Sequence, residues 1–300
     1  MNPKLSIGTW AFAFGPFEAK PWSFTQILQY AQRAGYDGVE VNGFLPHPVP
    51  ELYRTTQQRN QLRDEISSYG LGVSAYAPDF RSVPPAVAKK QDYLDLFKSY
   101  AEFANDLGTN LLRVDSVSPP DAFRQANNSD IPYWNLVECW RSAAEVAADA
   151  GLRVVWEFEP GFWLNKPSEV LQTVKDINHP AFQVLFDTSH AYMSGVVGAR
   201  QEGDQELVEQ GIEGYARLLE GYIGHFHLID SDGTLHDEET STHAHFEEGL
   251  IDFKDFLRSS KHALKPLEWW CVDYCFNAEV ESWGLEAISY IRKLLKETEQ

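Results

Sequence analysis

One unit recurs along the first half of this 300-residue chain: a helical run closed by glycine, followed within a few residues by a strand. Ala31-Gln32-Arg33-Ala34-Gly35 leads into Gly38-Val39-Glu40-Val41-Asn42, and Ser67-Ser68-Tyr69-Gly70 into Gly72-Val73-Ser74-Ala75-Tyr76. Ala104-Asn105-Asp106-Leu107-Gly108 precedes Asn110-Leu111-Leu112-Arg113-Val114, and Ala148-Asp149-Ala150-Gly151 precedes Arg153-Val154-Val155-Trp156. Each glycine stands where a helix ends in a left-handed residue and turns sharply into a strand. Later strands near Val184, Ile223 and Trp269 keep the order without that glycine. With a first strand over Leu5–Trp10 there are eight strand candidates. Helical patterns lie between or after them at Phe24–Ala34, Gln91–Leu107, Leu136–Ala150, Val170–Ile177, Glu206–Leu219, Phe253–Ala263 and Leu285–Leu295. Strand starts recur roughly every 30 to 45 residues, as an eightfold repeat in a chain of this size requires.

The connections are asymmetric. Helix-to-strand links are a few residues long, whereas strand-to-helix links are long and rich in Pro, Gly, aromatics and charge. They are Ala11–Trp22, Gly43–Tyr53, Ala77–Ala88, Ser116–Pro132, Ser189–Gly203 and Asp230–Ile251. Strands alternating with helices pair in parallel. The reading is a single (β/α)8 TIM barrel, one domain over residues 1–300, with a site built by the long loops. An open doubly wound sheet also places loops there, but no glycine-rich phosphate turn follows the first strand.

Composition then removes several function classes. There are 44 acidic against 25 basic residues, a net charge of −19, and no Lys/Arg-rich run. That surface repels phosphate backbones, so nucleic acid is not an expected partner. No apolar run is long enough to span a bilayer, and the N-terminus lacks a signal-peptide pattern, so no membrane partner and a cytoplasmic location are expected. Three cysteines without CxxC spacing read as buried thiols. The oligomeric state is open, and a homo-oligomer is compatible with everything above.

The chemistry concentrates at strand ends. In Val154-Val155-Trp156-Glu157-Phe158-Glu159-Pro160 an apolar run meets two acids at i and i+2, which share a strand face. A buried carboxylate is costly unless it is paired, hydrogen-bonded or bound to a metal. Three more strands end similarly: Val184-Leu185-Phe186-Asp187, Ile223-Gly224-His225-Phe226-His227 and Trp269-Trp270-Cys271-Val272-Asp273. Each residue alone also fits a structural role: Glu157 paired with Arg113, Asp187 as a helix cap, a histidine satisfied in the core. Together, Glu157, Asp187, His227 and Asp273 read as one metal site. Its carboxylate-rich donor set suits Mn²⁺, Mg²⁺ or Co²⁺, with Zn²⁺ an alternative. Glu159 and His225 then orient ligands or face substrate.

These motifs resemble the xylose-isomerase-like TIM barrels, the sugar phosphate isomerases and epimerases. The resemblance rests on Trp156-Glu157-Phe158-Glu159, Phe186-Asp187-Thr188-Ser189-His190, Gly224-His225-Phe226-His227-Leu228-Ile229-Asp230 and Gly249-Leu250-Ile251-Asp252-Phe253. It implies a divalent metal on Glu157, Asp187, His227 and Asp273, with His190 touching substrate near its carbonyl. Two features depart from the family: Asp273 replaces an expected glutamate, and Leu228–Thr234 lacks the arginine that grips a substrate hydroxyl in the keto-sugar epimerases.

The expected activity is isomerisation or epimerisation of a small keto- or aldo-sugar or cyclitol through an enediolate. Glu157 and Asp273 are the proton-transfer candidates, with Glu159 and His190 in reserve. Elimination by a lyase or dehydratase acting on keto-sugars, inososes or 3-keto-glycosides is the alternative. A DNA-repair endonuclease of the same barrel is a remote one, opposed by the acidic charge. Arg113 and Asp115 read first as an ion pair below the metal, with Arg113 as a substrate contact second. Glu40 and Asn42 reach the pocket or hold its loops. His47, His236, His243 and His245 read as solvated loop histidines, with His243 an alternative lid over substrate. Trp10 is placed to stack on a sugar face.

Overall fold

The computed structural model describes residues 2–124, 130–264 and 266–298; part of the Ser116–Pro132 loop lies outside them. Eight parallel strands close into a barrel: β1 (Lys4–Gly8), β2 (Gly38–Gly43), β3 (Gly72–Pro78), β4 (Leu111–Val114), β5 (Arg153–Glu157), β6 (Phe182–Asp187), β7 (Ile223–Leu228) and β8 (Trp269–Val272). Neighbours in sequence are neighbours in the ring, and β8 closes on β1 through Lys4↔Trp269 to Ile7↔Val272. The expected (β/α)8 TIM barrel is what the chain forms.

The glycine stops act as the sequence implied. Gly35 and Gly108 sit at φ 84° and 85°, and the amide of each bonds back to the last helical turn. Helix Phe24–Ala34 opens on a capping box between Ser23 and Gln26, and Thr56–Ser68 on one between Thr55 and Gln58. The first strand is shorter than expected: Thr9–Phe12 forms a 3-10 turn that carries Trp10 inward. The Ser189–Gly203 loop also opens on structure, a short helix Thr188–Tyr192 continued by a π turn. The helix expected over Phe253–Ala263 is two, Phe253–Ser259 and Lys261–Leu264.

Alternation along the strands sorts side chains into two layers. Val154 and Trp156, Val184 and Phe186, and Phe226 and Leu228 face outward into the main core against the helices. Val155 and Leu185 face inward and meet Leu111 and Ala75 in a small cluster inside the barrel. Leu111, Val155 and Leu185 each contribute about 1.5–3 kcal/mol by burial. One step further along the inward row, at Glu157 and Asp187, the lining turns polar, so an ionisable layer sits on an apolar plug. Among the described residues no helix is long and apolar enough to cross a membrane.

Candidate metal centre

Register brings the polar layer together. Asp187 pairs with His227 across β6 and β7, and Cys271 with His227 across β7 and β8, which sets Asp273 beside the histidine. His227 Nδ1 lies 3.0 Å from Glu157 Oε1, 3.4 Å from Asp273 Oδ2 and 3.8 Å from Asp187 Oδ2. Donor atoms of all four residues fall within 4.8 Å of one another. All four are buried, none more than 3% exposed. Glu157 Oε1, Asp187 Oδ2 and His227 Nδ1 have no hydrogen-bond partner. Three buried carboxylates and an imidazole nitrogen gathered at one point, with two of the carboxylates and the imidazole offering orphaned atoms, fit a divalent cation.

The remaining atoms of these side chains are held in place. Glu40 Oε2 lies 3.1 Å from His227 Nε2 and 2.7 Å from His225 Nε2. A carboxylate on Nε2 favours the tautomer that leaves the Nδ1 lone pair free for a cation. Burial opposes ionisation of Glu40, yet His227 and His225 drive its carboxyl far below the usual range. Arg113 Nη1 reaches Glu157 Oε2 at 2.6 Å; against burial, Arg113 and His227 hold Glu157 down at about 2. Trp10 Nε1 donates to Asp273 Oδ1 at 2.7 Å, and the Cys275 amide donates to the same oxygen at 3.1 Å. Asp187 serves twice: Oδ1 accepts from the His190 amide at 2.8 Å, capping the short helix, while Oδ2 faces the cluster. Burial, with Asp273 nearby, pushes Asp187 up.

Several expectations need correcting. Arg113 pairs with Glu157 and not with Asp115, because the guanidinium on β4 extends toward the buried acid at the β5 end. Asp115 accepts from the Val117 amide at 3.0 Å, and burial lifts it to about 7. His243 is buried and not solvated: its Nδ1 is 3.3 Å from Asp273 Oδ1, and its Nε2 has no partner. His47 is fully buried against Asn42, and His245 packs beside Trp283. Sequence reasoning left Glu40 undecided and missed Ser241, whose hydroxyl bonds His190 Nδ1. An acid inside Val39-Glu40-Val41 was the available signal; for Ser241 there was none.

Above the cluster opens a cleft of about 430 Å³. Trp10, Arg113, Glu157, Glu159, His190, His243 and Asp273 all line it, so every residue expected to touch substrate does face one space. Glu159 accepts from Thr240 Oγ1, on the hairpin Leu235–His236/Thr240–Ser241 that arches over the site. The His190 and His243 rings stand 5.4 Å apart on one side of the cleft.

Residues 28–273 match the model of the family described as xylose isomerase-like TIM barrel. The chain belongs to that family. Curated relatives include an inosose dehydratase of Histophilus somni (strain 129Pt), 23% identical over 259 residues, which are 83% of this chain and 78% of the relative. Among solved structures, a D-tagatose 3-epimerase-like protein superposes with TM-score 0.74 at 18% identity, covering 99% of this chain and 98% of the other. The IolI protein with a bound zinc atom superposes with TM-score 0.69 at 15% identity, over 98% and 97%. For this xylose isomerase-like barrel, such structural likenesses establish the fold. They agree with a sugar-modifying enzyme and leave the reaction to the site itself.

Proposed function

We propose that the protein is a divalent-metal-dependent dehydratase of keto-cyclitols or related keto-sugars. Glu157, Asp187, His227 and Asp273 would hold the cation. When bound, it would supply Lewis-acid polarisation of the substrate carbonyl, making the neighbouring C–H more acidic. Mn²⁺, Mg²⁺, Co²⁺ and Zn²⁺ all suit three carboxylates and one imidazole.

One observation moves elimination ahead of epimerisation. Both carboxylates that would flank a substrate have their outer oxygen occupied: Glu157 Oε2 by Arg113 at 2.6 Å and Asp273 Oδ1 by Trp10 at 2.7 Å. Epimerisation by that pair needs a free base on each face of the substrate, and here both are committed. His190 and His243, side by side on one wall, are each held through Nδ1, which leaves Nε2 for proton transfer. His190 leans on a hydroxyl, Ser241, and is the proposed base that takes the proton from carbon. His243 leans on the Asp273 carboxylate, which favours its protonated form, and its Nε2 is free to donate. The C–H electron pair becomes the new C=C bond as the adjacent C–O bond breaks. The departing hydroxyl takes the His243 proton and leaves as water. Base and acid on one wall suit removal of H and OH from the same face. The dehydratase name of the curated relative supports this reading.

The test is incubation of EDTA-stripped, Mn²⁺-reconstituted protein with an inosose and with keto-hexoses in deuterated water. Expected is metal-dependent loss of one water from substrate. Deuterium appearing in a sugar that keeps all its oxygens would establish epimerisation instead and sink the dehydratase.

A further inference from the structure

The floor of the cleft is ionic, but its upper wall is not. Phe14, Phe44 and Phe276, from the loops after β1, β2 and β8, line the same space. Phe14 lies 5.9 Å from Phe44, near-perpendicular, and 6.4 Å from Phe276, stacked at 29°. Phe14 packs on the small cluster of Trp10, Ala77 and Cys271, so this collar begins directly above Trp10 and its partner Asp273. Phe44 and Phe276, by contrast, are only partly buried, and neither packs against any of the buried apolar clusters among the described residues. Two large apolar rings are held in a cleft without a core to bury them.

The chain accepts strain to hold one of them there. Phe276 has φ 62°, in the left-handed region that a bulky residue avoids. Gly15 makes room for it: a Cβ there would stand 3.1 Å from the Phe276 Cα and 3.3 Å from its ring. On the outer side the His236 ring stacks on Phe276 at 4.3 Å and 10°. The face of Phe44 is covered by the Arg81 guanidinium at 4.7 Å, and that of Trp10 by Arg113 at 5.3 Å. With the chain's own cations already on Phe44 in the collar and on Trp10 below it, the collar suits a flat neutral ring better than a cationic ligand. At about 430 Å³ the cleft is in the range that holds drug-sized ligands, more than a bare six-carbon ring needs.

We infer that the collar of Phe14, Phe44 and Phe276 is a second subsite, which binds a flat apolar ring attached to the sugar or cyclitol. The inference rests on reading the floor as a keto-sugar site, and it concerns what the substrate carries beyond that ring.

The experiment compares phenyl β-glucoside with methyl β-glucoside by NMR titration of Mg²⁺-supplemented full-length protein. The phenyl compound should bind about ten-fold more tightly, from stacking and burial of its ring. Phe276→Gly should abolish that preference, leave methyl β-glucoside affinity unchanged and keep the fold, since glycine relieves the left-handed backbone. Phe44→Leu should lessen the preference without any backbone effect. Glu157→Gln should leave the phenyl preference intact while stopping turnover, so failure of the dehydratase reading and failure of the collar are told apart. If phenol binds and loses affinity in Phe276→Gly while neither glucoside binds, the collar stands and the sugar reading of the floor fails. Equal affinity for the two glucosides, a preference that survives both Phe variants, stronger binding of tetramethylammonium, or no binding of either glucoside or phenol overturns the subsite.

Discussion

Strands β5 to β8 bring four donor atoms inward, whereas β1, β2 and β4 bring the groups that fix three of the four side chains. Glu157 is held by Arg113, His227 by Glu40 and Asp273 by Trp10 at the end of β1, whereas Asp187 is steadied by the amide of its own helix. The difference separates two physical tasks. The second half of the ring concentrates like charges, which is unfavourable without a cation. The first half satisfies the atoms that would not face a bound cation, which would keep the donors aimed.

Removing a donor whose support comes from its own helix has the largest expected effect. Asp187→Asn keeps a good helix cap, so the short helix should persist. The variant should lose its metal and lower turnover by at least about 10³-fold, because the Lewis acid goes with it. Metal content by mass spectrometry and initial rates read this directly. Full metal occupancy in the variant would mean that the cluster does not hold the cation.

The supporting half should matter less, but measurably. Glu40→Gln keeps the size of the side chain while removing the charge that fixes the His227 tautomer. Metal affinity should fall about 10–100-fold, as is usual when such a partner is lost. Competition with a chromogenic chelator measures it. An unchanged affinity would make Glu40 a partner of His225 alone, and the division of labour between halves would fail on its second strand.

The same division explains what could be read without coordinates. The donors are visible because each is an acid or histidine at the end of an apolar strand, and the barrel follows from the glycine stops and uneven loops. The supports are far from their targets in sequence: Trp10 and Asp273 are 263 residues apart, Glu40 and His227 187. Nothing local ties an indole to a particular carboxylate. Arg113 was within reach of two acids, and its choice of Glu157 over Asp115 depends on the stagger of β4 against β5, where Arg113 pairs with Val155. His243 and His47 looked solvated because they sit in polar loops, yet those loops fold back over the barrel mouth and bury them.

His47 offers a sharpening test that needs no metal. Its Nδ1 lies 3.3 Å from Asn42 Nδ2, so it accepts that amide hydrogen and must remain neutral to do so. Burial, against a backbone contact with Trp22, lowers the His47 pKa to about 4. Below about pH 6.5 the unfolded chain binds a proton that the folded chain refuses. Stability is therefore full above about pH 6.5 and falls as the pH drops toward 4, by about 2 kcal/mol between pH 7 and pH 5. Urea unfolding at the two values, in the parent and in His47→Gln, should show a shallower loss in the variant. Equal losses would place the acid sensitivity in the donor cluster and not in the supporting half.

Trp10→Phe should give the smallest effect and the finest resolution. Asp273 Oδ1 keeps the Cys275 amide and His243 after the indole N–H is lost, so the carboxylate is loosened and not released. A hydrogen bond to a charged group is worth about 1.5–3 kcal/mol when nothing replaces it; with two donors remaining, turnover should fall about ten-fold or less. The ring does separate work: it lies 5.6 Å from His227 and beneath the Arg113 guanidinium, whose other contact is Glu157. Phenylalanine keeps a π face for both, whereas Trp10→Leu removes it. If Trp10→Leu is clearly worse than Trp10→Phe in kcat, the indole braces two donors through its face and a third through its N–H. One residue from the first strand would then couple the whole supporting half to the cluster. If the two variants are equal, only the N–H matters, and Arg113 and Glu40 do their holding independently.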